Sequence, residues 1–136
     1  MNKILNDLKT ILWFFLFPVF VLIVHVLLLF VFEVYLIFPW LDIPMHFLGG
    51  ASIALTYFLT LKFLQKENYF KLNAFFNIFF IFALVSLTAV LWEFLEFSLT
   101  YITGFSLQGN LSDTMLDLFL GMLGGLLTAI ILERIK

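Results

Sequence analysis

Cysteine is absent from this sequence. Disulfides, thiolate metal sites and cysteine nucleophiles are therefore excluded. Charge is nearly as scarce. Asp, Glu, Lys and Arg make up 12% of the 136 residues, about half the roughly 25% found in soluble domains. So few charged groups cannot cover a surface facing water, and nothing resembles a basic nucleic-acid surface. Proline occurs only three times, at Pro18, Pro39 and Pro44. No polar or low-complexity linker divides the chain, and its length suits a single transmembrane domain over 1–136.

What the chain has in excess is apolar surface. Hydrophobic residues make up 64% of it, and the mean hydropathy is +1.16. A helix that crosses a bilayer needs about 20 mostly apolar residues. Four stretches meet that length: 11–38, 44–64, 74–101 and 112–132. The expected fold class is all-α, a polytopic membrane protein built as a four-transmembrane-helix bundle. The first stretch follows Lys3 and Lys9 as a signal peptide would. Its apolar run is longer than an h-region of roughly 7–15 residues and no A-x-A-like site follows, so it reads as a retained helix. Pro18 sits inside it and predicts a kink. Pro39 ends it, and Pro44 suits the first turn of the second helix. Gly104, Gly109 and Asn110 mark the last loop, with Ser112 or Asp113 as the expected cap of the fourth helix.

Orientation follows from the seven basic residues. Lys3, Lys9, Lys62, Lys66, Lys71, Arg134 and Lys136 fall at the two termini and at the junction of the second and third helices. The other two connections carry none. The positive-inside rule then predicts both termini in the cytoplasm and a place in the cell membrane. Trp13, Trp40, Tyr35, Tyr69 and Tyr101 lie near the predicted interfaces as an ordinary aromatic belt.

The nine acids divide unevenly. Asp7, Glu67 and Glu133 accompany the bases, whereas Glu33, Asp42, Glu93, Glu96, Asp113 and Asp117 fall at the opposite, extracytoplasmic side. His46 joins the second group. Asp42 and His46 are four apart, Glu93 and Glu96 three apart, and Asp113 and Asp117 four apart. On a helix each pair projects from one side. The same faces continue inward as Gly49, Gly50 and Ala54, as Ser86 and Ala89, and as Gly121, Gly124, Gly125 and Thr128. Small residues of this kind let membrane helices approach closely. Glu93 lies about 12 Å from Tyr101 along a helix rising 1.5 Å per residue, too deep for free solvation. Ionisable residues at such depth mark functional sites by default.

Carboxylates converging on one pocket repel each other. Protonation, a divalent cation or a basic partner relieves that repulsion, and no Lys or Arg lies on that side. Asp42, His46, Glu93, Glu96, Asp113 and Asp117 are therefore the candidate metal ligands. Carboxylates with one imidazole suit Zn²⁺, Mn²⁺, Fe²⁺, Mg²⁺ or Ca²⁺. Structural roles stand beside this reading: Asp113 as a cap, Asp42 as a loop residue, Glu33 reaching headgroups. His25 has no evident partner and reads as a packing residue.

The motifs D-I-P-M-H-F-L-G-G (Asp42 to Gly50), W-E-F-L-E (Trp92 to Glu96) and L-Q-G-N-L-S-D-T-M-L-D-L-F-L-G-M-L-G-G (Leu107 to Gly125) resemble the YjdF-like family of small bacterial inner-membrane proteins. More loosely, they are similar to VanZ-like proteins, in which Gln is usual at the place of Glu96 and Asn at that of Asp117. The resemblance implies that the six residues are the family's motif positions. It supports fold and site rather than an activity.

Three functions remain open. The first is a divalent-metal pocket acting on a lipid-linked substrate, with Glu93 or Glu96 as the catalytic base. No serine–histidine pair is evident, and whether the chain is an enzyme stays undecided. The second is a cation or proton transporter, for which four helices would require a homo-oligomer. The third is a non-enzymatic binding or assembly module that makes lateral contacts within the lipid.

Overall fold

The computed structural model describes residues 2–32, 34–104 and 107–135. Every long element is a helix, with no strand among the described residues. The elements are α1 (Asn2–Phe14), α2 (Leu16–Val26) with a π-helical turn over Leu27–Val31, a short α3 (Val34–Ile37), a 3-10 turn (Pro39–Leu41), α4 (Asp42–Lys66), α5 (Ala74–Thr103) and α6 (Leu111–Arg134). Four stretches are long and apolar enough to cross a membrane: Lys3–Leu29, Pro39–Lys66, Ala74–Thr103 and Leu111–Arg134.

The first of these differs from the apolar run over 11–38. It starts earlier because the polar residues of the first turns, Lys3 and Asp7 among them, do not interrupt a helix; they only keep it out of hydrocarbon. It stops being α-helical earlier, where the N–H of Phe32 reaches the carbonyl of Leu27 at 3.1 Å. Hydrophobicity continues through that point and carries no signal for the change. The fourth helix also differs in its cap. Asn110, not Ser112 or Asp113, accepts from the N–H groups of Ser112 (2.9 Å) and Asp113 (3.2 Å). Asp113 then falls in the first turn, where a negative charge suits the helix dipole.

Pro18 breaks the first crossing between α1 and α2. Having no N–H, it leaves the carbonyl of Phe14 without its usual partner. Thr56 of α4, which is buried, donates its hydroxyl to that oxygen at 2.9 Å. A freed backbone group in lipid needs such a neighbour. The bond also pins the kink to α4.

The closest crossing is α4 against α6. A side chain on Gly50 would strike the backbone of Gly121, and one on Gly124 would strike the backbone of Phe47. Gly125 abuts the Val85 side chain of α5. Gly49 and Gly121 have room for a methyl group. The glycine stripe is thus a close contact at three positions and open at two. Below it Ala54, Ile81, Val85 and Ala129 form a fully buried apolar core.

The end carrying both termini is tied by charge. Lys3 pairs with Glu67 at 3.1 Å, and Tyr69 donates to Asp7 at 2.7 Å. Deeper, Glu133 accepts from Lys62 at 2.8 Å and from Asn77 at 2.6 Å, and Gln65 donates to Asn77 at 3.0 Å. This network joins α4, α5 and α6, and higher up the Tyr57 hydroxyl of α4 bonds to Thr88 of α5 at 3.0 Å.

Candidate metal centre

At the opposite end, the 3-10 turn at Pro39 delivers the chain into α4 so that Asp42 and His46 stack one turn apart. α6 enters beside them with Asp117 one turn inside its exposed start. His46 Nε2 stands 3.5 Å from Asp42 Oδ1 and 3.7 Å from Asp117 Oδ1. Both separations exceed an ordinary N–H···O hydrogen bond of about 2.7–3.2 Å. Ligand atoms from the three residues all lie within 4.8 Å of one another. Asp42 is half-buried, while the side chains of His46 and Asp117 are 11% and 7% exposed.

Glu93 of α5 lies on the wall of the same cavity as His46 and Asp117. It is buried, and one carboxylate oxygen meets Gln108. The other, Oε2, is buried with no hydrogen-bond partner. Leaving a buried acceptor unpaired costs about 1–3 kcal/mol, more when it is charged. An oxygen kept this way beside an imidazole and two carboxylates needs an explanation.

The six candidate residues therefore separate. Asp42, His46 and Asp117 come together, with Glu93 next to them. Glu96 does not line the cavity; its Oε1 accepts from Nε1 of Trp92, which does, at 2.8 Å. Asp113 is exposed at the start of α6. Glu33 lies outside the described residues.

The structure adds a residue that the sequence reading set aside. His25 of α2 is on the cavity wall. Its Nδ1 is bonded to the hydroxyl of Tyr35 at 2.9 Å, and its ring lies edge-on to His46 (centroids 6.5 Å apart) and Trp92 (5.9 Å). With Nδ1 engaged, Nε2 is the nitrogen left to meet a bound group. His25 has a partner after all, ten residues further along the chain.

The cavity occupies about 120 Å³. Its ionisable groups gather at the acidic end: His25, His46, Glu93 and Asp117; Ser52 and Thr88 add two hydroxyls elsewhere in the lining. Pro18, Val21, Ile53, Val85 and Ala89 make up much of the rest.

Residues 6–136 match the family described as "Predicted membrane protein (DUF2238)". The chain belongs to this family. The match spans the residues of the acidic centre and all but the first turn of the four long helical stretches. No curated protein and no solved structure gives a match.

Proposed function

We propose that this protein is a metal-dependent membrane protein acting on a lipid-linked substrate, with a divalent ion held by Asp42, His46 and Asp117. The observation that carries this reading is the spacing around His46 Nε2. With metal–ligand bonds of about 2.0–2.2 Å, neighbouring ligands of a tetrahedral ion stand about 3.4 Å apart. The observed 3.5 and 3.7 Å come close to that spacing and are longer than ordinary hydrogen bonds; without a bound ion they pair His46 with the two carboxylates. Three protein ligands with one open position is the pattern of catalytic zinc. One imidazole with carboxylates suits Zn²⁺, Mn²⁺ or Fe²⁺ better than Ca²⁺, which favours an all-oxygen shell.

When bound, the ion supplies Lewis-acid polarisation of a phosphoryl or carbonyl oxygen. Glu93 Oε2 is placed to take a proton from an attacking water. His25 offers an imidazole nitrogen from the facing wall. Glu96, held by Trp92, positions that indole. In this reading the acidic end faces outward from the cell membrane and both termini are cytoplasmic, as the basic residues require. The finer resemblance to YjdF-like proteins belongs to the same proposal. Cation or proton transport has less support, because Ala54, Ile81, Val85 and Ala129 close the bundle below the cavity.

Metal titration followed by thermal unfolding in micelles tests the reading. Zn²⁺ or Mn²⁺ at about a hundred times its dissociation constant is expected to stabilise the wild-type protein by about 2.7 kcal/mol. If no divalent ion raises the unfolding temperature, the reading fails.

A further inference from the structure

We propose that the cavity beneath the acidic centre is the binding site for the apolar tail of a single-chain, oxyanion-headed lipid. This rests on the metal-pocket reading and extends it to the substrate's shape.

Three observations carry it. First, the cavity has two chemically different ends. Asp42 closes the group at one, together with His46, Asp117 and the unpartnered Glu93 Oε2. Val21, Ile53, Val85 and Ala89 line the other, where the hydroxyls of Ser52 and Thr88 already donate to the carbonyls of Gly49 and Leu84. Its occupant must be polar at one end and hydrocarbon at the other. A cavity of about 150 Å³ with apolar walls takes up benzene. The 120 Å³ here therefore suits a short length of one chain and not two side by side.

Second, the cavity lies between two stretches long and apolar enough to cross a membrane. α2 packs along α4, and α5 packs on α4 and α6, while α2 and α5 meet through the ring contact of His25 with Trp92. Both line the cavity, through Pro18, Val21 and Leu22 on one side and Val85, Ala89 and Trp92 on the other. α2 is bounded by departures from α-helix at Phe15 and at Leu27–Val31. Such irregularities often accompany functional sites.

Third, Gly49 lines the cavity one turn from His46, and a Cβ built there meets nothing within 4 Å. Its neighbour Gly50 is a glycine because the backbone of Gly121 presses on it. Gly49 has no such packing reason. A missing side chain at this point is what keeps the tail space open. The head is an oxyanion because, on the metal-pocket reading, the group it meets is the divalent ion held by the carboxylates and His46.

Trp92 provides a reporter, since it lines the cavity while Trp13 and Trp40 are exposed. The test uses Trp13→Phe/Trp40→Phe protein in lipid nanodiscs, loaded with Zn²⁺ and titrated with 2-bromodecyl phosphate, whose bromine lies next to the head and quenches indole fluorescence on contact. Saturable quenching of Trp92 is expected. In the same background Gly49→Leu, which fills the cavity, should weaken it at least about tenfold while leaving the Zn²⁺ dissociation constant within about twofold. 1-Bromodecane, which lacks the head, should also bind at least about tenfold more weakly than the phosphate. Quenching that only rises linearly with partitioning, or that survives Gly49→Leu unchanged, overturns the tail site. Equal affinity for bromodecane overturns the placement of the head. The Zn²⁺ titration without amphiphile reports on the metal reading separately. Zn²⁺ binding without tail binding defeats this inference alone, and absence of Zn²⁺ binding defeats the metal reading.

Discussion

Gly50→Ala is expected to destabilise the bundle by about 3 kcal/mol or more, while Gly49→Ala, one residue earlier, leaves it unchanged or up to about 1 kcal/mol more stable. Overpacking usually costs about 1–3 kcal/mol because side chains and backbone shift to make room. At Gly50 the new methyl group meets the carbonyl, carbon and Cα of Gly121. Backbone of a membrane helix cannot rotate away as a side chain can, so α4 and α6 must separate along their closest contact. The two glycines bordering that contact, Gly50 and Gly124, each press on backbone of the opposite helix, Gly121 and Phe47. At Gly49 there is open space, and replacing glycine by alanine inside a helix gains about 0.8–1.0 kcal/mol of propensity. Unfolding of both variants in micelles, followed by helical circular dichroism, checks the contrast. Equal behaviour of the two would mean that α4 and α6 are not packed as described.

The second large effect concerns Asp117. Asp117→Asn keeps the side chain's shape and removes its charge. Changing residues that merely support a metal ligand costs about 10–100-fold in affinity. Replacing a ligand is expected to cost at least about 100-fold for Zn²⁺. Glu96→Gln should cost less than about tenfold, because its oxygen lies on the indole of Trp92 rather than in the three-residue group. Stability without metal should change little. Asp117→Asn removes its repulsion with Asp42 and Glu93 but also its ion pair with His46, while abolishing stabilisation by metal. A structural role for Asp117 predicts instead a variant less stable with and without metal. Calorimetric titration and unfolding of the same two variants distinguish the cases.

Much of the architecture is readable from hydrophobicity and charge alone. Runs of apolar residues announce the four crossings, and the grouping of Lys and Arg matches the end where Lys3 meets Glu67 and Lys62 meets Glu133. The details of the centre depend on angles that spacing describes only coarsely. Glu93 and Glu96 share one side of a helix, yet three residues at 3.6 per turn leave them about 60° apart. That rotation sends Glu93 into the cavity and Glu96 to Trp92. Asp113 and Asp117 differ in depth rather than direction, so only the second is buried. Gly49 and Gly50 look alike in sequence, but adjacent helical residues point about 100° apart. One faces α6 and the other faces the void.

His25 was hidden for a different reason. Its partner Tyr35 comes close only because the chain leaves the α-helical path after Val26 and turns through α3. No periodic pattern contains a contact made across such an irregular segment. The bond from Thr56 to Phe14 is similar. Pro18 predicts a freed carbonyl, but only the packing of α2 on α4 shows which residue fills it.

Elemental analysis of protein purified without chelators tests the central claim most directly. The account predicts about one divalent transition-metal ion per chain in the wild-type protein and essentially none in Asp117→Asn. Wild-type protein that is well folded, carries no stoichiometric metal and takes none up from Zn²⁺, Mn²⁺ or Fe²⁺ would contradict it.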